Sequence, residues 1–195
     1  MKFWIALLTA CLAAAAPAKA ISLSEANGEA RLVGTFDKDD EKLFAAFLAK
    51  PRAAPLRVLW LDSRGGAILP AIAIGLMARK ARLTTAMRAD AATCDSACTL
   101  VFAGGVRRHY VNGGSVFEGL SSLSGLGFHG ANIRGDAVRP TIASDRGTQL
   151  MNAYYKLMGM PGAGELASRA AINTVFRPSG ATALRLRIAT GLGEP

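Results

Sequence analysis

The chain reads as an α/β protein with a mainly parallel sheet. Extended segments alternate with helical ones across the first hundred residues after the N-terminal leader. The run Leu56 to Leu61 is continuously apolar apart from Arg57, as suits a strand covered on both faces. A unit of strand, tight turn and helix then occurs twice, first through Gly65-Gly66 and again through Cys94 to Ala97.

Glu29 to Phe36 alternates loosely and is rich in Leu, Val, Thr and Phe, which predicts a strand. Asp37 to Asp40 offers acidic capping for a helix through about Ala49, with Leu43, Phe44 and Phe47 on one face and Pro51 and Pro55 as its stop. The buried strand Leu56 to Leu61 enters the turn Asp62-Ser63-Arg64-Gly65-Gly66. A helix over Ile68 to Arg82 follows, with Pro70 tolerated in its first turn. Leu83 to Arg88 is the next strand, Ala89 to Asp95 a loop, and Ala97 to Ala103 an apolar, buried helix closed by Gly104-Gly105. Arg108 to Val111 forms a short strand and Asn112-Gly113-Gly114 a turn. The Gly/Ser-rich segment Ser115 to Leu126 then leads to Phe128-His129. That segment is either a mobile flap, with Val116, Phe117, Leu120, Leu123 and Leu126 over the groove, or a loop packed on its own apolar residues. Ile142 to Leu157 and Gly162 to Ala171 are helical in character, and Ala181 to Ile188 is a last short helix or strand. Met151, Met158 and Met160 suit packing or a subunit contact.

Residues 1–20 read as a signal peptide: Lys2 opens them, Phe3 to Ala16 is an apolar run, and Ala18-Lys19-Ala20 is a small-residue cleavage site. That run is shorter than the roughly 20 residues a spanning helix needs, and no later stretch is long and apolar enough. The competing reading is a lipid anchor on Cys11, because Leu8-Thr9-Ala10-Cys11 has the character of a lipid attachment box. Residues 21–195 suit one domain with a full core. Without Lys2 and Lys19, 23 basic residues become 21 against 14 acidic ones. The positive charge favours acidic surfaces. Arginines are scattered from Arg31 to Arg185 without a compact basic block or interleaved aromatics, so nucleic acid is not an expected partner.

Two cysteines, Cys94 and Cys98, remain after signal removal. In an oxidising compartment a disulfide is the default, with free thiols the alternative. On a helix this spacing sets the two Cα atoms about 6 Å apart, within bonding range. Zinc is not expected, since about four donors are required and the mature chain offers two cysteines and two distant histidines. No phosphate loop or other cofactor motif is present.

Acyl transfer needs a hydroxyl, a base and preorganised N–H donors for the developing oxyanion. Ser96 supplies the hydroxyl at the start of a helix, where unpaired amides and the positive end of the dipole collect. The Ala97 amide is one natural donor, and Gly65 or Gly66 presents a second. His129, between Gly127 and Gly130, is a better base than His109, which sits in the cationic run Arg107-Arg108-His109-Tyr110. Taken singly each feature has an ordinary structural explanation, a helix cap above all; their combination carries the weight.

The run Leu61-Asp62-Ser63-Arg64-Gly65-Gly66, then Cys94-Asp95-Ser96-Ala97-Cys98, then Gly127-Phe128-His129-Gly130 resembles the Clp-protease/crotonase superfamily, in particular its secreted ClpP-like members. The resemblance implies a crotonase/ClpP-like spiral of ββα units and homo-oligomers, commonly trimers or higher rings. Carried over, it makes Ser96 the nucleophile, His129 the base, and Gly66 with Ala97 the oxyanion hole. Arg64 stands where the family's turn has proline. Around the family's third triad position the chain reads Ile172-Asn173-Thr174 with no carboxylate. Asn173 is then the candidate to orient the imidazole. Asp136, Asp145 or Glu165 reaching in, or a Ser-Lys dyad through Lys80 or Lys156, are the alternatives. The resemblance implies an exported, periplasmic or extracellular serine hydrolase cleaving peptides or proteins. The rival is a catalytically silent ClpP-like scaffold that binds peptides or partner proteins.

Overall fold

A computed structural model describes residues 20–195 apart from 122, 134, 137 and 172. The expected signal peptide through residue 19, with Cys11, lies outside the described residues, as does residue 172 beside Asn173.

The chain opens with an antiparallel pair, β1 (Ser22–Ala26) and β2 (Glu29–Val33). The residues between them, Asn27 and Gly28, have φ of 54° and 77°, and the Asn-Gly dipeptide suits the backbone twist of such a hairpin. The sequence reading missed β1, although that dipeptide was the signal for it. Helix α1 (Asp40–Leu48) buries Phe44 and Phe47 but leaves Leu43 54% exposed, so the expected apolar face is narrower by one residue. At its start the buried Asp40 carboxylate accepts the Asp37 N–H at 2.7 Å, and burial raises its pKa.

β3 (Val58–Asp62), α2 (Ile68–Lys80), β4 (Thr84–Arg88), β5 (Thr93–Asp95), α3 (Ala97–Gly104) and β6 (Arg108–Val111) follow in order. The main sheet runs β1-β2-β3-β4-β6 and is parallel from β2 onward, with Leu32 opposite Leu61 and Met87 opposite Tyr110. Its β6 edge is covered by the C-terminal segment: Tyr110 N–H donates to Gly191 O and Thr190 N–H to Arg108 O. Such cover blunts an otherwise sticky edge. It also takes up His109, whose Nδ1 lies 2.9 Å from Gly193 O.

A second, shorter layer lies beside the main sheet. β5, which the sequence reading left inside a loop, pairs in parallel with β8 (Gly125–Gly127), and bridges Ser63 to Cys94 and Phe128 to Phe176 extend the strip. The chain thus places a long strand in the main sheet, a short one in the strip, then a helix, and repeats. β7 (Gly119–Leu120) pairs with β11 (Phe176–Arg177), and β9 (Asn132–Ile133) with β10 (Ile142–Ala143). The helix expected from Ile142 begins at Asp145, as α4 (Asp145–Leu157), because Ser144 caps it by accepting the Gly147 N–H. α5 (Ala163–Ala167) is shorter than expected and α6 (Gly180–Arg185) is the closing helix.

One core unites the layers, with Leu32, Leu59, Phe44, Ile74, Phe102 and Phe128 all essentially inaccessible. Met151, Met158 and Met160 are buried in it, which makes them packing residues. The segment 115–126 divides: Leu126 is in the core while Phe117, Leu120 and Leu123 are exposed. No helix among the described residues is long and apolar enough to cross a membrane.

Candidate active site

Ser96 is the one residue between β5 and α3, and its backbone is strained, with φ 54° and ψ −124°. A non-glycine residue in such a region costs on the order of 1–3 kcal/mol and persists only where its surroundings hold it. Here they hold it from several directions. Ser96 N–H donates to Gly127 O at 2.9 Å, Asp95 N–H to Ser63 O at 3.0 Å, and Ser63 N–H to Thr93 O at 2.6 Å. Cys94 and Cys98 form a disulfide with Cα atoms 5.1 Å apart. The spacing argument placed both on one helix; instead the bridge spans the turn, from the strand into the first turn of the helix.

The residue before the serine is anchored as firmly. Arg177 Nη1 and Nη2 donate to the Asp95 carboxylate at 2.7 and 3.2 Å, and Nη1 also donates to Gly125 O at 2.8 Å. Their side chains are 1% and 8% exposed, so this ion pair sits out of water. Gly127 leaves it room, since a Cβ there would lie 2.0 Å from Asp95 Oδ1. Beneath, the Tyr110 hydroxyl accepts the Leu126 N–H at 3.3 Å, and burial pushes the phenol up to about 12. Arg177 carries no signal in the sequence: an arginine between Phe176 and Pro178 belongs to no motif, and only the fold brings it to Asp95.

The Gly65-Gly66 turn is pressed directly onto Ser96. A Cβ on Gly65 would stand 2.7 Å from Ser96 Cβ and 3.1 Å from Ala97 N. Gly65 N–H donates to Ser63 Oγ at 3.1 Å, so Gly65 shapes the turn rather than offering an amide. The N–H groups of Gly66 and Ala97 have no hydrogen-bond partner among the described residues. The first amides of a helix lack intrahelical partners in any case.

Ser96, His129, Gly66, Ala67, Arg64 and Asp37 line one cleft of about 460 Å³. His129 is 9% exposed and its Nδ1 lies 2.6 Å from Gly130 O. Donation from Nδ1–H to that carbonyl leaves Nε2 unprotonated, the tautomer a general base needs. No hydrogen bond among the described residues joins Ser96 Oγ to the imidazole. Asn173 lies in a neighbouring cavity with Arg64, Thr174 and Val175, and the partner of Nδ1 is the Gly130 carbonyl. The other candidates do not line this cleft. Asp136 pairs with Arg139 and Glu165 with Arg169, Asp145 opens α4, and Lys80 and Lys156 are exposed. Among the described residues no group of three His, Cys, Asp or Glu is placed to hold a metal ion.

No protein-family model and no curated protein matches the chain in sequence. Among solved structures, it is similar to a mutant of the 1510-N membrane-bound stomatin-specific protease, with a TM-score of 0.59 at 12% identity over 85% of this chain and 78% of that one. The fold is ClpP/crotonase-like. Enoyl-CoA hydratase-like proteins from Streptomyces avermitilis (TM-score 0.48, 12% identity, 88% of this chain and 66% of that) and Streptomyces coelicolor A3(2) (0.46, 14%, 97% and 72%) are also similar. Likeness at such identity concerns the path of the chain.

Proposed function

We propose that the chain is a serine hydrolase that cleaves peptide or protein substrates through an acyl-enzyme on Ser96. The carrying observation is the strained Ser96 backbone at a strand-to-helix turn, in one cleft with His129 and Gly66, beside the amides of Gly66 and Ala97 that have no partner among the described residues. An observed outlier of this kind supports a functional reading, and a nucleophile held on a sharp strand-to-helix turn is a recurrent catalytic arrangement. Ser96 Oγ attacks the substrate carbonyl carbon while His129 Nε2 takes the hydroxyl proton. The carbonyl oxygen, now negative, sits at the Gly66 and Ala97 amides. Collapse breaks the bond to the leaving amine, which takes the proton from His129, and water then repeats the sequence to release the acid. No cofactor enters these steps.

The Gly130 carbonyl holds the imidazole tautomer but bears no charge to offset the imidazolium. Losing the carboxylate of a triad costs about 10⁴ in turnover, so a slow enzyme is the expectation. That neutral partner also favours the second reading, a catalytically silent scaffold that binds peptides in the same cleft. The proposal extends to export, with cleavage after Ala20 and a disulfide suited to the periplasm or extracellular space, and to a homo-oligomer, a trimer or ring.

The purified mature protein treated with a fluorophosphonate probe is expected to be labelled, and Ser96→Ala to remain unlabelled. His129→Ala is expected to slow labelling by about 10²–10⁴. Labelling that survives Ser96→Ala overturns the nucleophile, and a folded wild type that resists the probe leaves the scaffold.

A further inference from the structure

Arg64, the residue that departs from the family's turn, is exposed and lines two cavities at once. One is the cleft with Ser96 and His129. The other, about 370 Å³, continues past Arg64 and is walled by Leu120, Ser121, Asn173, Thr174 and Val175, with the Asp95–Arg177 pair on its lining. Arg64 makes no ion pair or hydrogen bond among the described residues. That includes Asp37, a carboxylate lining the same cleft, whose Oδ1 accepts the Lys38 N–H. Arg177 adds a second observation: the residue is fully buried, and its Nε–H has no acceptor among the described residues. Arg64 and Arg177 line this cavity with a single carboxylate, Asp95, so its lining carries surplus positive charge. Its wall also offers the Ser121 hydroxyl and the Asn173 amide as donors, the Thr174 hydroxyl being committed to Ala171 O.

We propose that Arg64 and the cavity beyond it form a subsite for a carboxylate of the substrate, held beside the carbonyl that Ser96 attacks. This deepens the hydrolase reading and rests on it for the position of that carbonyl. The Cα atoms of Arg64 and Gly66 are at most about 7 Å apart, and Arg64 lines the same cleft as Ser96, so the carboxylate belongs to a residue near the scissile bond. A planar guanidinium takes a carboxylate through two parallel hydrogen bonds, and Asn173 becomes part of the wall of this subsite rather than a partner of His129. The carboxylate is either an acidic side chain or a free C-terminus.

Binding separates this proposal from catalysis. Full mature Ser96→Ala protein, which cannot turn over, is titrated with fluorescein-labelled alanine–leucine octapeptides carrying one Glu or one Gln at each position. Each peptide is prepared as the free acid and as the C-terminal amide, and anisotropy is read. A carboxylate is expected to tighten binding about tenfold over its neutral counterpart, the size of a charge-assisted hydrogen bond. A preference that follows Glu assigns a side chain, and one that follows the free acid assigns a C-terminus. Adding Arg64→Ala is expected to bring the ratio to about one, and adding Arg64→Glu to invert it; thermal melts confirm that both variants fold. Equal binding of charged and neutral peptides overturns the subsite, as does a preference that survives Arg64→Ala. Carboxylate-selective binding by a wild type that resists the fluorophosphonate probe keeps the subsite and removes the hydrolase.

Discussion

The two sides of the cleft are built very differently. The side of the proposed nucleophile is locked: Ser96 lies between a disulfide and a desolvated ion pair, and its amide is tied to Gly127. The base side hangs on less. His129 follows β8, and its ring is held by the carbonyl of the next residue. The segment after it is fixed at Ala131, whose N–H donates to Thr148 Oγ1 at 2.9 Å. The Ser96 turn, whose backbone must be kept in an unfavourable conformation, thus carries a disulfide and a buried ion pair, while the His129 segment is held by hydrogen bonds, between Phe128 and Phe176 and between Ala131 and both Thr148 and Ser144. In the proposed hydrolase, preorganisation of nucleophile and oxyanion amides and orientation of the base are therefore separate tasks.

The largest test of that asymmetry is Arg177→Met. Removing one partner of a buried ion pair strands the other and costs about 3–5 kcal/mol. The expected outcome is a sharply lower melting temperature, with fluorophosphonate labelling lost as Asp95 ceases to hold Ser96 in place. A variant that melts as the wild type does would show that the pair does not fix the nucleophile side. Next in size is the disulfide, which closes a loop with a sequence separation of 4. A loop this short gives about 2 kcal/mol in the chain-entropy model. Cys94→Ala with Cys98→Ala is expected to lower stability by that amount in denaturant titrations and to slow labelling without abolishing it, because the Arg177 pair still holds Asp95.

The nucleophile side was also the more legible in sequence. Ser96, Ala97, Gly66 and the cystine all belong to short contiguous motifs whose chemistry is local: a turn, a helix start, a pair of thiols in reach. The parallel sheet was legible for the same reason, since Leu56 to Leu61 and Leu83 to Arg88 show their burial in their own composition. What escaped was settled at long range. The Asp95–Arg177 pair joins residues separated by 82 positions, and neither carries a mark of the other. β5 was too short to alternate and is a strand only because β8 and Ser63 lie beside it. Asn173 was proposed for the imidazole because a carboxylate was missing nearby in sequence. The neighbouring Gly130 carbonyl, which every residue possesses and no motif records, occupies that place.

The smallest test addresses the base side alone. Thr148→Val keeps the shape of the side chain and removes the oxygen that accepts the Ala131 N–H; that oxygen also donates to Ser144 O at 3.0 Å within the first turn of α4. The loss is about 1–3 kcal/mol, because the N–H of the buried Ala131 is left without its acceptor. The nucleophile side contains none of these atoms, so the strained Ser96 turn and its two amides stay as they are. A global loss of stability would slow labelling only as far as the folded fraction falls, which at this cost is negligible. A slower fluorophosphonate reaction in a fully folded Thr148→Val protein would therefore report on the imidazole, and the rate is expected to drop severalfold while the melting temperature shifts by a few degrees. An unchanged rate would mean that the Gly130 carbonyl positions the ring without help from α4, and would move the weak point of the cleft to that one contact.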